Sequence, residues 1–337
     1  MEMQTEKKKV LLSIRDEKQY FPVKKTGFRE EQKYVKANDG ISLDIYEGET
    51  LGLVGESGCG KSTFGRTILQ LYPQTDGEIL YEKDGKMMNL KEQPAETMRG
   101  LRRELQLIFQ DPYSSLNPRM TAGQIIGEGL TSHGLYKKGD PALREYVLEV
   151  MKKCGLDNYM FSRYPHQFSG GQRQRIGIAR SLALKPRFVV CDEAVSALDV
   201  SIQSQILNLL LDLKEEAHLT YLFITHDLSV VKYISDRIGV MYLGNLVELA
   251  PTEGLFERTL HPYTKALLSA IPTTDVNAGK RDRILLEGDI PSPVSPPSGC
   301  KFHTRCYQCQ EKCKKDVPML EDKGNGHLVA CHYPLES

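Results

Sequence analysis

The segment Gly55-Glu56-Ser57-Gly58-Cys59-Gly60-Lys61-Ser62 has the residue types and spacing to cradle a polyphosphate. Glycines let a backbone curl around an anion with its N–H groups pointing inward. Lys61 supplies a point charge suited to the β and γ phosphates of a nucleotide, and the Ser62 hydroxyl suits Mg²⁺. Thr63 follows in the helix that starts at Lys61, whose positive end adds to the attraction. A chance Gly-rich turn would lack the strand Thr-Leu-Gly-Leu-Val before it and the helix after it.

A second group lies at Phe188-Val189-Val190-Cys191-Asp192-Glu193, two carboxylates at the end of an apolar run. Ligands gather at strand ends in open α/β sheets. Asp192 suits Mg²⁺ through a coordinated water, and Glu193 can polarise an attacking water as general base. Alone, the pair could equally be a solvated acidic turn; beside the phosphate loop that reading recedes. A third group is Phe168-Ser169-Gly170-Gly171-Gln172 ahead of a helix over 173–184, a second anion-binding nest at a helix N-terminus. One nucleotide does not need both nests from one chain. A head-to-tail dimer does, with each nucleotide between one subunit's phosphate loop and the other's Ser-Gly-Gly.

These groups need a scaffold, and the hydrophobic pattern predicts one. Strands are expected over Val10 to Ile14, Glu49 to Gly55, Leu105 to Phe109, Phe188 to Cys191 and Leu219 to Thr225, with a closing hairpin around Gly244-Asn245. Between Asp111 and Gln172 the pattern turns helical, punctuated by Pro and Gly, and Ile202, Ile206, Leu209, Leu210 and Leu213 repeat at helical spacing. Strands alternating with helices predict an α/β core. Composition shifts near residue 250, and four prolines between Pro291 and Pro297 read as a stiff arm leading to a Cys-rich tail.

The chain of 337 residues has 44 basic and 44 acidic side chains, so no overall charge draws it to nucleic acid, and none is expected as a partner. No stretch reaches the roughly 18 consecutive apolar residues of a spanning helix. No signal-type apolar core follows the polar N-terminus, so a cytosolic protein touching a membrane only through partners is expected. Five of eight cysteines, Cys300, Cys306, Cys309, Cys313 and Cys331, crowd the last forty residues, whereas Cys59, Cys154 and Cys191 are scattered. Without an export signal, clustered cysteines read as metal ligands rather than disulfides.

Over residues 10 to 250 the chain resembles the ABC ATPase family in every motif and in order: Gly55–Ser62, Gln110, Ser169-Gly170-Gly171-Gln172, Asp192-Glu193, Ser196-Ala197-Leu198-Asp199, and His226 in Ile-Thr-His-Asp. The resemblance implies a P-loop NTPase core of the ABC type with a helical subdomain at about 111–172, binding ATP and Mg²⁺. It implies that Gln110 contacts Mg²⁺ and the lytic water, that Asp199 sits across a dimer interface, and that His226 hydrogen-bonds the γ-phosphate. It also implies an aromatic that stacks on adenine; Tyr20, Phe21, Phe28 and Tyr34 compete, with Phe28 and Tyr34 preferred. Nucleotide contacts are thus expected at Gly55 through Thr63, Ser169 to Gln172, Asp192 and Asp199. Catalysis is expected at Glu193, His226 and Gln110, with Mg²⁺ at Ser62, Gln110 and Asp192.

The remainder, 251–337, looks like the C-terminal extension of oligopeptide and dipeptide importer ATPases. The resemblance rests on His261-Pro262-Tyr263-Thr264, Gly288 to Pro293, and the run from Gly299-Cys300 to Cys331-His332. Within that family, 111–118 and 168–175 are most similar to the second, F-type ATPase. The resemblance implies peptide import at the cytoplasmic side of the cell membrane. The implied partners are a paralogous ATPase, two membrane permeases and, indirectly, an extracytoplasmic solute-binding protein. Nickel and other solute importers share this tail and stay open as alternatives. A soluble ABC ATPase acting on DNA or ribosomes would carry a coiled-coil insertion or two fused cassettes, and this chain has neither. A regulatory iron–sulfur or zinc protein would not keep every catalytic motif intact.

The tail cysteines Cys300, Cys306, Cys313 and Cys331 are separated by five, six and seventeen residues, which suit neither a zinc ribbon nor a ferredoxin run. They match the family tail that holds a [4Fe–4S] cluster. Zinc remains the alternative through the Cys306-x₂-Cys309 pair with His303 or His332.

Overall fold

The computed structural model describes residues 8–25, 31–271 and 283–336. Phe28 lies outside them. The chain divides into two units, Met1–Lys91 with Thr225–Ser337, and Glu92–Ile224.

In the first unit, β1 (Val10–Pro22) runs antiparallel to β2 (Tyr34–Tyr46). β1 is longer than the apolar run Val10–Ile14 suggests, because the cross-strand ladder carries it into polar sequence. β3 (Thr50–Val54) is buried at every position, as a strand covered on both faces must be. It leads through the glycine-rich turn into α1 (Lys61–Ile68). β4 (Asp76–Lys83) and β5 (Lys86–Asn89) complete an antiparallel sheet of order β2-β1-β4-β5. Leu12, Ile14, Ile45, Ile79 and Tyr81 are fully buried in this part of the chain.

In the second unit, α2 (Ala95–Leu101) precedes β6 (Leu105–Ile108). α3 (Pro112–Ser115), α4 (Ala122–Ser132) and α5 (Pro141–Lys153) follow, each opened by its own side-chain cap: Asp111, Thr121 with Gln124, and Asp140. These caps satisfy N–H groups that helix starts leave orphaned, so the punctuated 111–172 pattern becomes several short helices. α6 (Gly170–Leu182) leads to β7 (Phe188–Asp192), α7 (Val200–Ala217) and β8 (Thr220–Ile224). β6, β7 and β8 are parallel, in that order. Of the predicted α7 stripe, Ile206, Leu209, Leu210 and Leu213 are buried, while Ile202 is half-buried near the N-terminal end.

The first unit resumes with α8 (Leu228–Ile234), β9 (Arg237–Tyr242) and β10 (Asn245–Pro251). β9 lies parallel to β3 and forms the expected hairpin with β10. α9 (Thr252–Glu257), α10 (Pro262–Ser269) and α11 (Glu311–Lys315) are short. β11 (Glu321–Asp322) and β12 (Leu328–Val329) extend the β10 edge by two-residue pairings. The proline arm has no regular structure, and Lys36 N–H donates to Pro293 O (3.1 Å). Among the described residues, no helix is long and apolar enough to cross a membrane.

Candidate functional site

The phosphate loop sits where buried β3 turns into α1. Gly60 caps the helix at φ 107° with no side chain in the way, and a Cβ there would run into the Ala37 carbonyl. A side-chain cap would consume N–H groups that an anion needs. Lys61 is almost fully buried, and its Nζ donates to Gly55 O (2.8 Å) and Glu56 O (3.1 Å). The loop is braced from behind by Gly244 N–H on Cys59 O (2.9 Å) and by Asn38 Nδ2 on Gly60 O (3.2 Å). Burial pushes the Cys59 thiol up, while neighbouring Lys61 pulls the other way.

Glu56 is engaged twice. Its N–H donates to the Tyr263 hydroxyl (2.9 Å), and its carboxylate takes a two-pronged contact from Arg305 (2.7 and 3.0 Å). What it offers a nucleotide is therefore limited to its carbonyl and to the course of the loop. Neither Arg305 nor Tyr263 was singled out as a site residue by the sequence. Tyr263 lies within the His-Pro-Tyr-Thr motif, but Arg305 carries no local signal.

In the second unit, Asp192 ends β7 with 1% exposure. Glu193 follows at φ 47°, a left-handed conformation uncommon outside glycine and often associated with functional sites. Its N–H is held by Ile224 O (2.9 Å), and its carboxylate accepts from Gln110 Nε2 (2.7 Å). The structure thus brings together Gln110 and Glu193, which are 83 residues apart. Ser169 caps α6 in a reciprocal pair with Gln172 (3.3 and 3.0 Å). Gly171 has no room for a Cβ against Ile202. Ser169 is exposed. Asp199 is also exposed and caps α7 by accepting from Ile202 N–H (3.0 Å). His226, in the first unit, is exposed just before Asp227, the cap of α8.

Three adenine-stacking candidates are described. Tyr20 donates to Asp39 and carries Lys36 over its ring, and Phe21 packs edge-on against Tyr72 (5.5 Å). Tyr34, 45% exposed, retains most surface for a base.

Cys300, Cys306, Cys313 and Cys331 line one small cavity together with His303 and His332; Cys309 is not part of its lining. Burial raises the Cys300 thiol, raises Cys306 to about 11 and raises Cys331 to about 12. Among the described residues, no three His, Cys, Asp or Glu side chains form a group that could hold a metal ion. The iron–sulfur and zinc expectations are therefore not supported by a metal-holding group among the described residues, although the four cysteines line one cavity.

The ABC transporter profile matches residues 38–196, and the profile for the oligopeptide/dipeptide transporter C-terminal region matches 247–313. The oligopeptide transport ATP-binding protein AppF of Bacillus subtilis is 50% identical over 323 residues, covering 96% of this chain and 97% of that protein. The chain belongs to the ABC transporter ATP-binding family, in its oligopeptide/dipeptide branch. The oligopeptide transport ATP-binding protein OppF of Escherichia coli is 52% identical over 330 residues, covering 97% of each. The dimeric structure of an ATP-binding cassette in a post-hydrolysis state, bound to ADP and Pi, matches at TM-score 0.62 and 29% identity. It covers 72% of this chain and 99% of that chain. This ABC cassette accordingly carries its branch-specific tail beyond the portion common to family members.

Proposed function

We propose that this chain binds and hydrolyses ATP to energise an importer of oligopeptides or dipeptides, as a peripheral subunit on the cytoplasmic side of the cell membrane. The observation that carries this is 50% and 52% identity to oligopeptide transport ATP-binding proteins over 96% and 97% of the chain. The division we propose is a cassette over 1–250, with its helical part at about 111–172, and an extension over 251–337.

The roles follow the motifs. Backbone N–H groups of Gly55–Thr63 and the Lys61 ammonium bind the phosphates, and Mg²⁺ ligation is assigned to Ser62, Gln110 and Asp192. When bound, Mg²⁺ supplies positive charge to the β and γ phosphates. Glu193 accepts the proton of the attacking water while Gln110 orients its carboxylate, and His226 donates to the γ-phosphate. Ser169, Gly170, Gly171 and Gln172, with Asp199, serve the nucleotide of a paralogous ATPase in a heterodimer. The exposure of Ser169 and Asp199 supports that reading. Two permeases dock on the helical part, where α4, α5 and Phe161 line a groove of about 990 Å³. An extracytoplasmic solute-binding protein delivers the peptide.

In the tail, Cys300, Cys306, Cys313 and Cys331 are the residues to hold a [4Fe–4S] cluster. Their shared cavity, which leaves Cys309 out, supports that set. A single zinc ion needs its sulfurs within about 2.3 Å of one point, whereas a four-iron cluster takes one thiolate on each iron and spreads them apart. Its chemistry here is structural, tying a tail of little regular structure together.

The test is reconstitution with both permeases, the second ATPase and the solute-binding protein. Peptide-stimulated ATP hydrolysis is expected, falling by ~10²–10⁴-fold in Glu193→Gln as general-base loss predicts. ATP binding should be retained in that variant. Stimulation by nickel ions and not by peptide would move the assignment to the related solute. Anaerobic preparation should yield iron and sulfide that Cys306→Ser depletes; stoichiometric zinc without iron would replace the cluster.

A further inference from the structure

The arm between Cys300 and Cys306 reaches the phosphate loop. Arg305 closes a planar fork on both Glu56 oxygens, its side chain 7% exposed and that of Glu56 24%. Paired forks of this kind fix geometry as well as charge. Tyr263, fully buried at the start of α10, accepts the Glu56 N–H. The arm itself is pinned. Arg305 N–H donates to Phe302 O (3.0 Å), and Phe302 packs its ring on Tyr242, Tyr263 and His261. On the other side, Lys301 Nζ bonds Asp39 (2.9 Å) and Leu243 O (3.2 Å), and Asp39 N–H donates to Gly244 O (2.9 Å). Gly244 N–H in turn holds Cys59 O.

Glu56 occupies the second position of a loop that curls around an anion. An unpaired carboxylate there opposes the phosphates, and Coulomb repulsion in a partly buried site is weakly screened. We propose that Arg305 and Tyr263 are positioning residues for ATP binding: Arg305 neutralises Glu56 and draws its carboxylate onto the tail, and Tyr263 orients the Glu56 peptide. The tail beyond the cassette thereby belongs to the nucleotide site of its own chain. This rests on the reading that Gly55–Ser62 binds ATP.

The experiment measures Mg·ATP and Mg·ADP affinity of the full chain by titration calorimetry, with thermal melting of each variant alongside. Arg305→Ala should weaken ATP binding by ~10-fold or more, the scale of unpairing a desolvated charge. ATP should lose more than ADP because repulsion scales with phosphate charge. Arg305→Lys should recover part of the loss, since it restores charge without the fork. Tyr263→Phe should cost ~2–10-fold, one neutral hydrogen bond. The deciding readout is the Glu56→Gln background, where Arg305→Ala should cost less than ~2-fold because no carboxylate remains to neutralise. An equal loss in both backgrounds would show Arg305 to be merely structural and overturn the inference, as would wild-type affinity in Arg305→Ala. If Arg305→Ala does not fold, Arg305→Lys carries the same contrast. Lys61→Ala separates the two readings: should it bind ATP as tightly as the parent, the loop assignment fails independently of Arg305.

Discussion

The phosphate loop and the cysteine-lined arm are both short irregular segments, yet they are held in different ways. The loop hangs between a fully buried strand and a helix, which place both its ends locally, while Asn38, Gly244, Tyr263 and Arg305 brace it from a distance. The arm has a five-residue helix and two-residue strands for support. Its anchors come from far along the chain: Asp39, Glu56, Tyr242 and Tyr263. A site whose ends lie on regular elements is placed locally, whereas a site on irregular chain depends on distant side chains.

That contrast can be broken most sharply at Phe302, which is 1% exposed and meets three aromatic rings. Phe302→Ala should destabilise by ~3–5 kcal/mol, the usual cost of emptying a buried aromatic site. Urea unfolding measures it, and a loss below ~1 kcal/mol would mean the arm is held by something else.

Lys61→Ala tests the opposite end of the comparison. ATP affinity should fall by ~10–100-fold, the worth of a hydrogen bond to a charged group. The melting temperature without nucleotide should fall only modestly, because Gly55 O and Glu56 O lose a donor while β3 and α1 keep the loop in place. A collapse of stability instead would show that the loop is no more locally specified than the arm.

His261 supplies a pH test. It is fully buried against Phe302, and burial lowers its pKa from 6.5 to about 4, with Glu248 pulling the other way. The folded chain therefore binds fewer protons than the unfolded chain between pH 6.5 and about 4. Stability from this group is present above about pH 6.5 and is lost as pH falls toward 4, at up to ~1.4 kcal/mol per unit. His261 also caps α10 by accepting from Tyr263 N–H (3.1 Å). His261→Asn preserves an acceptor there and should flatten the slope, as read from denaturation midpoints across that range. An unchanged slope would assign the acid sensitivity elsewhere.

The smallest effect is expected at Cys309, which lies outside the cavity lining and whose thiol donates to the Gln310 carbonyl (3.7 Å). Cys309→Ser should leave iron content and melting temperature unchanged. Loss of bound metal in that variant would point to the Cys306-x₂-Cys309 pair and to zinc.

Much of the fold was legible because its signals are local. The run Thr50–Val54 followed by glycines and Lys61, the acids ending Phe188–Asp192, and the Ser169 cap ahead of α6 all announce themselves within about ten residues. The antiparallel β2, β4 and β5 went unread, since β2 carries Lys36, Asn38, Asp39 and Asp44 and lacks a clean alternation. Its strand character comes from pairing with β1. The extent of β1 past Ile14 has the same origin.

The sequence by itself determined the phosphate loop, the acidic strand end, the Ser-Gly-Gly helix start and the grouping of cysteines, because each depends on residue type at fixed short spacing. Only the tertiary structure decided that Gln110 bonds Glu193, that four tail cysteines share a cavity without the fifth, and that Arg305 grips Glu56 across 249 residues. No local rule relates such partners. Their meeting depends on how strands pair and rings pack, and the contact energy appears only after the intervening chain has been ordered.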